Sequence, residues 1–195
     1  IADVELATEL LRPMFYAARR WGVGRPRVVA CAPTDASADE LAAVEEVVRR
    51  AGASAVAIVS EPLAAAIGAD IDVGSFFARM IVDIGHGVTD CAVVRAGELV
   101  SSTATRVACS DLEAGIARYV LDRHNLKLSS EATRRLLKEI SFDPTRPKRG
   151  TTRVTGLLAQ SHESAAAVIP LDDLIEVLRP AHDRIVGSVA SFFRQ

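Results

Sequence analysis

The residues best suited to chemistry form one octapeptide, Asp83-Ile84-Gly85-His86-Gly87-Val88-Thr89-Asp90. An apolar strand ends in a carboxylate, the turn carries two glycines, and the returning strand opens with a hydroxyl residue and a second carboxylate. Glycine supplies backbone freedom that other residues lack, so such a turn can aim successive N–H groups at phosphate oxygens. Asp83 then stands where a carboxylate holds a hydrated divalent cation. The octapeptide is equally readable as an ordinary hairpin with a glycine turn. A second stretch, Ser60-Glu61-Pro62-Leu63-Ala64-Ala65-Ala66-Ile67-Gly68-Ala69, sets a carboxylate at the start of a small-residue helix. Read by itself, Glu61 is an acidic first-turn residue favoured by the helix dipole.

The elements that must position these residues alternate helix and strand. Asp3 caps a helix in which Leu6, Leu10, Met14 and Ala17/Ala18 recur at helical spacing, with Pro13 expected to kink it. Arg27–Ala32, closed by Pro33, is a continuous apolar run expected to be a buried parallel strand. Ser37 and Glu40 make a capping box for a helix ended by Gly52. Ala55–Val59 predicts another buried strand, and Pro62 sits at the first turn of the helix over Leu63–Ala69. This αβαβα run points to a layered α/β domain. A second unit follows Gly74, with strands over Arg79–Ile84, Thr89–Arg95 and Glu98–Thr105 and a tight turn at Ala96-Gly97. Helices are expected over Asp111–His124 and Ser130–Ile140, a loop over Phe142–Gly150, and short strands over Val154–Leu158 and Ala165–Ile169. Asp172 is expected to cap a last helix bent at Pro180.

Composition narrows the function. The 195 residues are 49% hydrophobic with a mean hydropathy of +0.21, enough for a real core. Lys plus Arg number 23 against 25 Asp plus Glu, a net charge of -2, so no overall basic field draws the chain to nucleic acid. No apolar stretch approaches the roughly 20 residues of a spanning helix. Cys31, Cys91 and Cys109 are odd in number and widely spaced, which argues against disulfides or a zinc site and for a reducing compartment, with the cytoplasm as default. A chain beginning at Ile1 without a basic-then-apolar leader reads as trimmed and unsecreted.

From Arg25 to Arg95 the chain resembles the bacterial actin MreB family. An R-P-R-V-V strand, an E-P-x-A-A-A-I-G-A helix and a D-I-G-G-G-T-T-E loop follow in that family in the same order. Similarity continues through Tyr119–Leu126, the V-T-G-L at Val154–Leu157 and the L-R-P at Leu178–Pro180. DnaK chaperones, with E-P-T-A-A-A and D-L-G-G-G-T-F-D, share the two motifs but not the I-G-A ending or the V-T-G-L segment. A chaperone-like or sugar-kinase-like relative is therefore the third reading.

The resemblance implies a partial actin-like (ribonuclease-H-like) α/β ATPase fold with a small inserted α+β subdomain. Residues 1–70 would be the remnant of one large subdomain, 79–110 with 171–195 the second, and 111–170 the insert. It places Glu61 where the attacking water is oriented, Asp83 beside magnesium, and the loop Gly85, His86, Gly87, Val88 and Thr89 around the β- and γ-phosphates of ATP. These residue types fit hydrolysis of a phosphoanhydride, which needs a placed water, a cation and donors for phosphate oxygens. His86 stands where the family loop has glycine, and the family's G-G-D appears as Ala108-Cys109-Ser110-Asp111. The family's first phosphate hairpin and its glycine-rich adenosine loop have no counterpart here, so weak or absent ATP binding by this chain alone is the expectation. The implied function is a filament-forming cytoskeletal protein of cell shape or wall growth, self-association being the main partnership; a degenerate, non-hydrolysing scaffold is the alternative.

One loop offers a test independent of nucleotide. Arg19, Arg20 and Trp21 set the only tryptophan in a basic segment running to Arg25, a composition suited to the lipid headgroup boundary, and in the resemblance the same loop contacts the membrane. A peripheral position on the inner membrane face follows as the expectation, with the alternative that Trp21 folds back on the domain. Each basic residue near an anionic surface contributes about 1 kcal/mol, so one copy binds marginally and an oligomer strongly. An assembled form should co-sediment with anionic liposomes, and Trp21→Ala should weaken this without unfolding the chain. Tryptophan fluorescence indifferent to anionic vesicles in a demonstrably oligomeric sample would rule the anchor out.

Overall fold

The first helix shows how tertiary contacts choose among sequence-permitted faces. In the computed structural model, which describes residues 3–18, 24–143, 145 and 150–194, α1 spans Val4–Ala18 and Leu6 N donates to Asp3 Oδ1 at 2.9 Å. The expected apolar face is not the buried one. Leu6, Leu10 and Met14 are 58%, 69% and 67% exposed, whereas Phe15 and Thr8 are buried. Phe15 lies on a different face of the helix, and it is this face that α2 covers. It packs with Leu11 against Val48, Ala51 and Ala53. Pro13 is accommodated inside the helix.

Two parallel strands, β1 (Arg27–Ala32) and β2 (Ala55–Ser60), pair in register from Arg27↔Ala55 to Ala32↔Ser60. Between them runs α2 (Ala38–Ala51), whose capping box is complete: Glu40 N donates to Ser37 Oγ at 3.2 Å and Ser37 N to Glu40 Oε2 at 2.9 Å. The parallel pairing agrees with expectation, but full burial does not. Burial alternates along β1, Val28, Ala30 and Ala32 turning inward while Val29 and Cys31 are exposed. A continuous apolar run cannot say how many of its faces are covered.

After β2 the chain enters α3 (Glu61–Gly68) with Pro62 at its first turn. A three-stranded sheet follows in the order β3 (Arg79–Ile84), β4 (Thr89–Arg95), β5 (Glu98–Thr105). Ala96 and Gly97, at φ of 52° and 81°, make the expected tight turn between the last two, a left-handed geometry that glycine adopts freely. Ala66, Ile81 and Val94 form a small core between α3 and this sheet.

The remaining elements are α4 (Cys109–His124), the two-residue strand β6 (Leu126–Lys127), α5 (Ser130–Glu139), β7 (Thr151–Leu158), β8 (Ser164–Pro170) and α6 (Leu171–Phe193). Strand β7 pairs antiparallel with both β6 and β8. One large core gathers Ile116, Val120, Leu126, Leu136, Val154 and Ile169, and takes Leu171, Leu174 and Leu178 from α6. Pro170, not Asp172, is the N-cap of α6. Asp172 and Asp173 lie inside its first turn, where the helix dipole still favours them, and the helix continues through Pro180. By compactness the chain divides into two units, Ile1–Asp83 with Asp90–Ala104, and Ile84–Thr89 with Thr105–Gln195. Among the described residues no helix is long and apolar enough to cross a membrane.

The exchanged faces of α1 give a direct check. Phe15→Ala should cost about 3 kcal/mol of unfolding free energy and Leu10→Ser less than about 0.5 kcal/mol, read from urea melts. Similar costs at the two positions would show that both faces are buried.

Candidate functional site

The loop from Gly85 to Thr89 is held chiefly through its carbonyl oxygens. Gly85 N donates to Val88 O at 3.0 Å, closing the turn on itself. Gly85 O accepts from Cys109 N at 3.2 Å and His86 O from Ser110 N at 2.8 Å, so two of the first-turn N–H groups of α4 are spent on the loop. The first N–H groups of a helix lack partners within it, and here the loop supplies them. Thr89 is buried, with Oγ1 donating to Val107 O at 2.8 Å. With these carbonyls turned to α4, the loop's own N–H groups at His86, Gly87 and Val88 are the ones left to meet an anion.

Two sequence arguments about glycine change in consequence. Neither Gly85 nor Gly87 has a positive φ, so the turn does not demand the freedom first assigned to it. Gly85 is favoured by space instead: a Cβ there would stand 3.0 Å from Val88 O, close enough that the carbonyl would have to give way slightly, whereas one on Gly87 meets nothing. Ala108 and Cys109, in place of the family's glycines, also strain nothing. Ala108 is fully buried at φ -156°, an extended conformation open to any residue, and its N–H donates to Asp111 Oδ2 at 3.0 Å.

The first unit carries a concentration of carboxylates. Glu61 is the first residue of α3, and its carboxyl is raised above the ordinary range by burial, then by the charges of Asp90, Asp83 and Asp35. Asp83 is half-buried near the end of β3. Asp90 is buried at 1% exposure and accepts from Thr34 N at 3.0 Å and Thr34 Oγ1 at 2.6 Å, tying β4 to the segment after β1. Asp90 was not among the expected site residues; its position as the second carboxylate of the octapeptide was the available signal. The side-chain oxygen of Ser60, next to Glu61, is buried without a hydrogen-bond partner. A bridging water suits such a group.

No cluster of three or more His, Cys, Asp or Glu able to hold a metal ion occurs among the described residues. Magnesium does not require one, since it retains several waters and takes one or two carboxylates together with phosphate oxygens. Asp83 fits that donor set, and the negative charge that raises Glu61 is what a cation would relieve. Arg19, Arg20 and Trp21 lie outside the described residues, as do Lys148 and Arg149. Two further concavities belong to the second unit. One, of about 640 Å³, is lined by Ser129, Arg134, Arg135, Lys138 and Thr155. In the other, between α4 and α6, Tyr119 Oη donates to Asp173 Oδ2 at 2.6 Å, and burial together with that bond pushes its phenol up to about 12.

Residues 1–195, the whole chain, match the MreB/Mbl protein family. The chain belongs to this family. The cell shape-determining protein Mbl of Bacillus cereus is 29% identical over 167 residues, covering 80% of this chain and 49% of that protein. The cell shape-determining protein MreB of Escherichia coli is 35% identical over 115 residues, 59% of this chain and 33% of that one. The chain thus spans about half the length of the Mbl relatives it matches. Among solved structures, MreB5 of Spiroplasma citri bound to ADP superposes on 100% of this chain and 59% of its own, with a TM-score of 0.86 and 26% identity; its AMPPNP-bound form gives 0.83. The MamK double helical filament, at 20% identity and a TM-score of 0.74, shares the fold. The architecture of this MreB/Mbl chain is accordingly the actin-like one.

The raised carboxyl of Glu61 predicts a pH effect. A group whose proton is bound more tightly in the folded state contributes stability below the unfolded carboxylate range and loses it as pH rises through the folded value. Glu61→Gln should therefore raise the Tm slightly at neutral pH, and the gain should disappear below about pH 4. A Gln variant no more stable than the parent at neutral pH would show that Glu61 is better solvated than its surroundings imply.

Proposed function

We propose that this MreB/Mbl chain is part of a filament-forming cytoskeletal protein, working in cell-shape or wall-growth organisation, that binds ATP with magnesium. The observation that carries the reading is the Gly85–Thr89 loop, in which the Gly85 and His86 carbonyls accept from α4 and the Thr89 hydroxyl donates to Val107 O, so that the N–H groups of His86, Gly87 and Val88 can serve phosphate oxygens. The nucleotide-bound MreB5 structures support the ligand class, since they share this fold at 26% identity. In this reading Glu61 orients the attacking water and Asp83 holds the hydrated cation. His86, Val88 and Thr89, with Gly85 and Gly87, surround the β- and γ-phosphates. Magnesium would supply charge neutralisation at the phosphates; the chain's own contribution is to place donors and a water.

The same reading divides the chain into a first large-subdomain remnant, a second large subdomain built from residues 79–110 and 171–195, and an insert over 111–170. Assembly follows from head-to-tail contacts that do not close and therefore propagate. The MamK filament shows that this fold supports a double helix of subunits in that protein. A cytoplasmic location at the inner membrane face, through Arg19, Arg20 and Trp21, completes the proposal.

The alternative reading is a non-hydrolysing scaffold that assembles without turnover. Turnover separates the two readings. In the complete natural protein, Glu61→Ala should lower the kcat of phosphate release by roughly a hundredfold or more while leaving the Kd for ATP within a few-fold, because it removes a contact made in the transition state. Equal loss of binding and turnover would make Glu61 structural. Filaments formed by a parent protein that releases no phosphate would establish the scaffold.

A further inference from the structure

One side chain of the loop has a partner that the proposed role in phosphate binding does not use. Glu113, on α4, is only 15% exposed, and its Oε1 stands 3.8 Å from His86 Nδ1 and 3.4 Å from Arg134 Nε. All three residues belong to the second unit, His86 from the loop, Glu113 from α4 and Arg134 from α5. A largely buried carboxylate therefore faces one permanent cation and one side chain that becomes a cation on taking up a proton.

The other charged groups near the start of α4 are engaged elsewhere. Asp111 caps Ala108 N through Oδ2, and its Oδ1 lies 3.8 Å from Arg184. The loop backbone is pinned by Cys109 and Ser110, so the imidazole of His86, 67% exposed at its side chain, is the loop group free to change its charge.

The chemistry of imidazole makes this arrangement selective. A neutral ring that turns an Nδ1–H towards Glu113 leaves a lone pair on Nε2, which repels a phosphate oxygen. The imidazolium has donors on both nitrogens and satisfies a carboxylate on one side and an oxyanion on the other. At 3.8 Å the His86–Glu113 contact is an ion pair in reach rather than a hydrogen bond, and it gains strength only when the ring is charged. Arg134 shares the same carboxylate oxygen and so limits the negative charge left for His86.

We propose that His86 is a specificity-determining residue of the phosphate loop: as an imidazolium positioned by Glu113, it donates from Nε2 to an oxyanion on the loop, so that phosphate binding is coupled to uptake of one proton. The inference rests on Gly85–Thr89 being the phosphate loop. Glu113 acts through His86 and is a positioning residue.

Calorimetry of Mg-ADP binding to the complete natural protein, at about pH 6 and about pH 8, tests it, with buffers of different ionisation enthalpy reporting the protons taken up. The ligand's own phosphate titration is common to every variant, so the ratio of affinities at the two pH values is compared between them. The parent ratio should exceed that of His86→Gly and of His86→Gln by roughly fivefold, and Glu113→Gln should lower it towards theirs. An identical ratio in parent and both His86 variants overturns the inference while leaving the phosphate loop standing. An unchanged ratio in Glu113→Gln overturns the positioning role. Absence of Mg-ADP binding by the parent at both pH values overturns the phosphate-loop reading and the inference with it.

Discussion

The donation of Cys109 and Ser110 N–H groups to the carbonyls of Gly85 and His86 is the contact on which the candidate site depends. A helix start needs acceptors for its first N–H groups, and a tight loop needs its carbonyls removed from any anion it is to bind. One pair of hydrogen bonds meets both needs. It also explains how the family's glycines at 108 and 109 can be lost: Ala108 is extended, Cys109 is the first helical residue, and the N–H groups of both are engaged, so a methyl or thiol on the side chain disturbs neither.

Charge is arranged differently in the two units, and the difference matters for chemistry. In the first, Glu61, Asp83 and Asp90 accumulate negative potential, only part of which is absorbed by the Thr34 hydrogen bonds to Asp90. With burial, that potential raises the carboxyl of Glu61 above its ordinary range, and a cation bound nearby would offset it. In the second, Glu113 gathers His86 and Arg134 about one carboxylate.

Stability and exposure follow the same separation of roles. The second unit's core is built from long aliphatic side chains on α4, α5, β7, β8 and α6, with Gly115 allowing Leu178 to approach so closely that a Cβ there would meet it at 2.9 Å. The first unit rests on smaller clusters about Phe15 and Ala66, and leaves Leu6, Leu10, Met14 and Val29 in solvent.

Much was legible in the sequence where the determining chemistry is local. Ser37 with Glu40, Pro62 at a first turn, the Ala96-Gly97 turn and the order of strands and helices each depend on a few neighbouring residues, and the motif order carried the family with them. Asp83 and the loop stood out as candidates by residue type and spacing, and Glu61 through the family resemblance. What periodicity could not decide was which of two faces of α1 is covered, because Leu6-Leu10-Met14 and Leu11-Phe15 are both helical stripes and the choice lies with residues far along the chain, Val48 and Ala51. The two-residue strand β6 is too short to carry a pattern. Asp90's tie to Thr34, Glu113's place between His86 and Arg134, and the close approach of Val88 O to Gly85 were likewise decided by the tertiary structure. The sequence by itself determined the elements, their order and the residue types available for chemistry, since these rest on backbone preferences and hydrogen bonds within a few residues. The pairing of side chains distant along the chain was decided only by packing, because each such contact takes its geometry from the whole core that brings its two ends together.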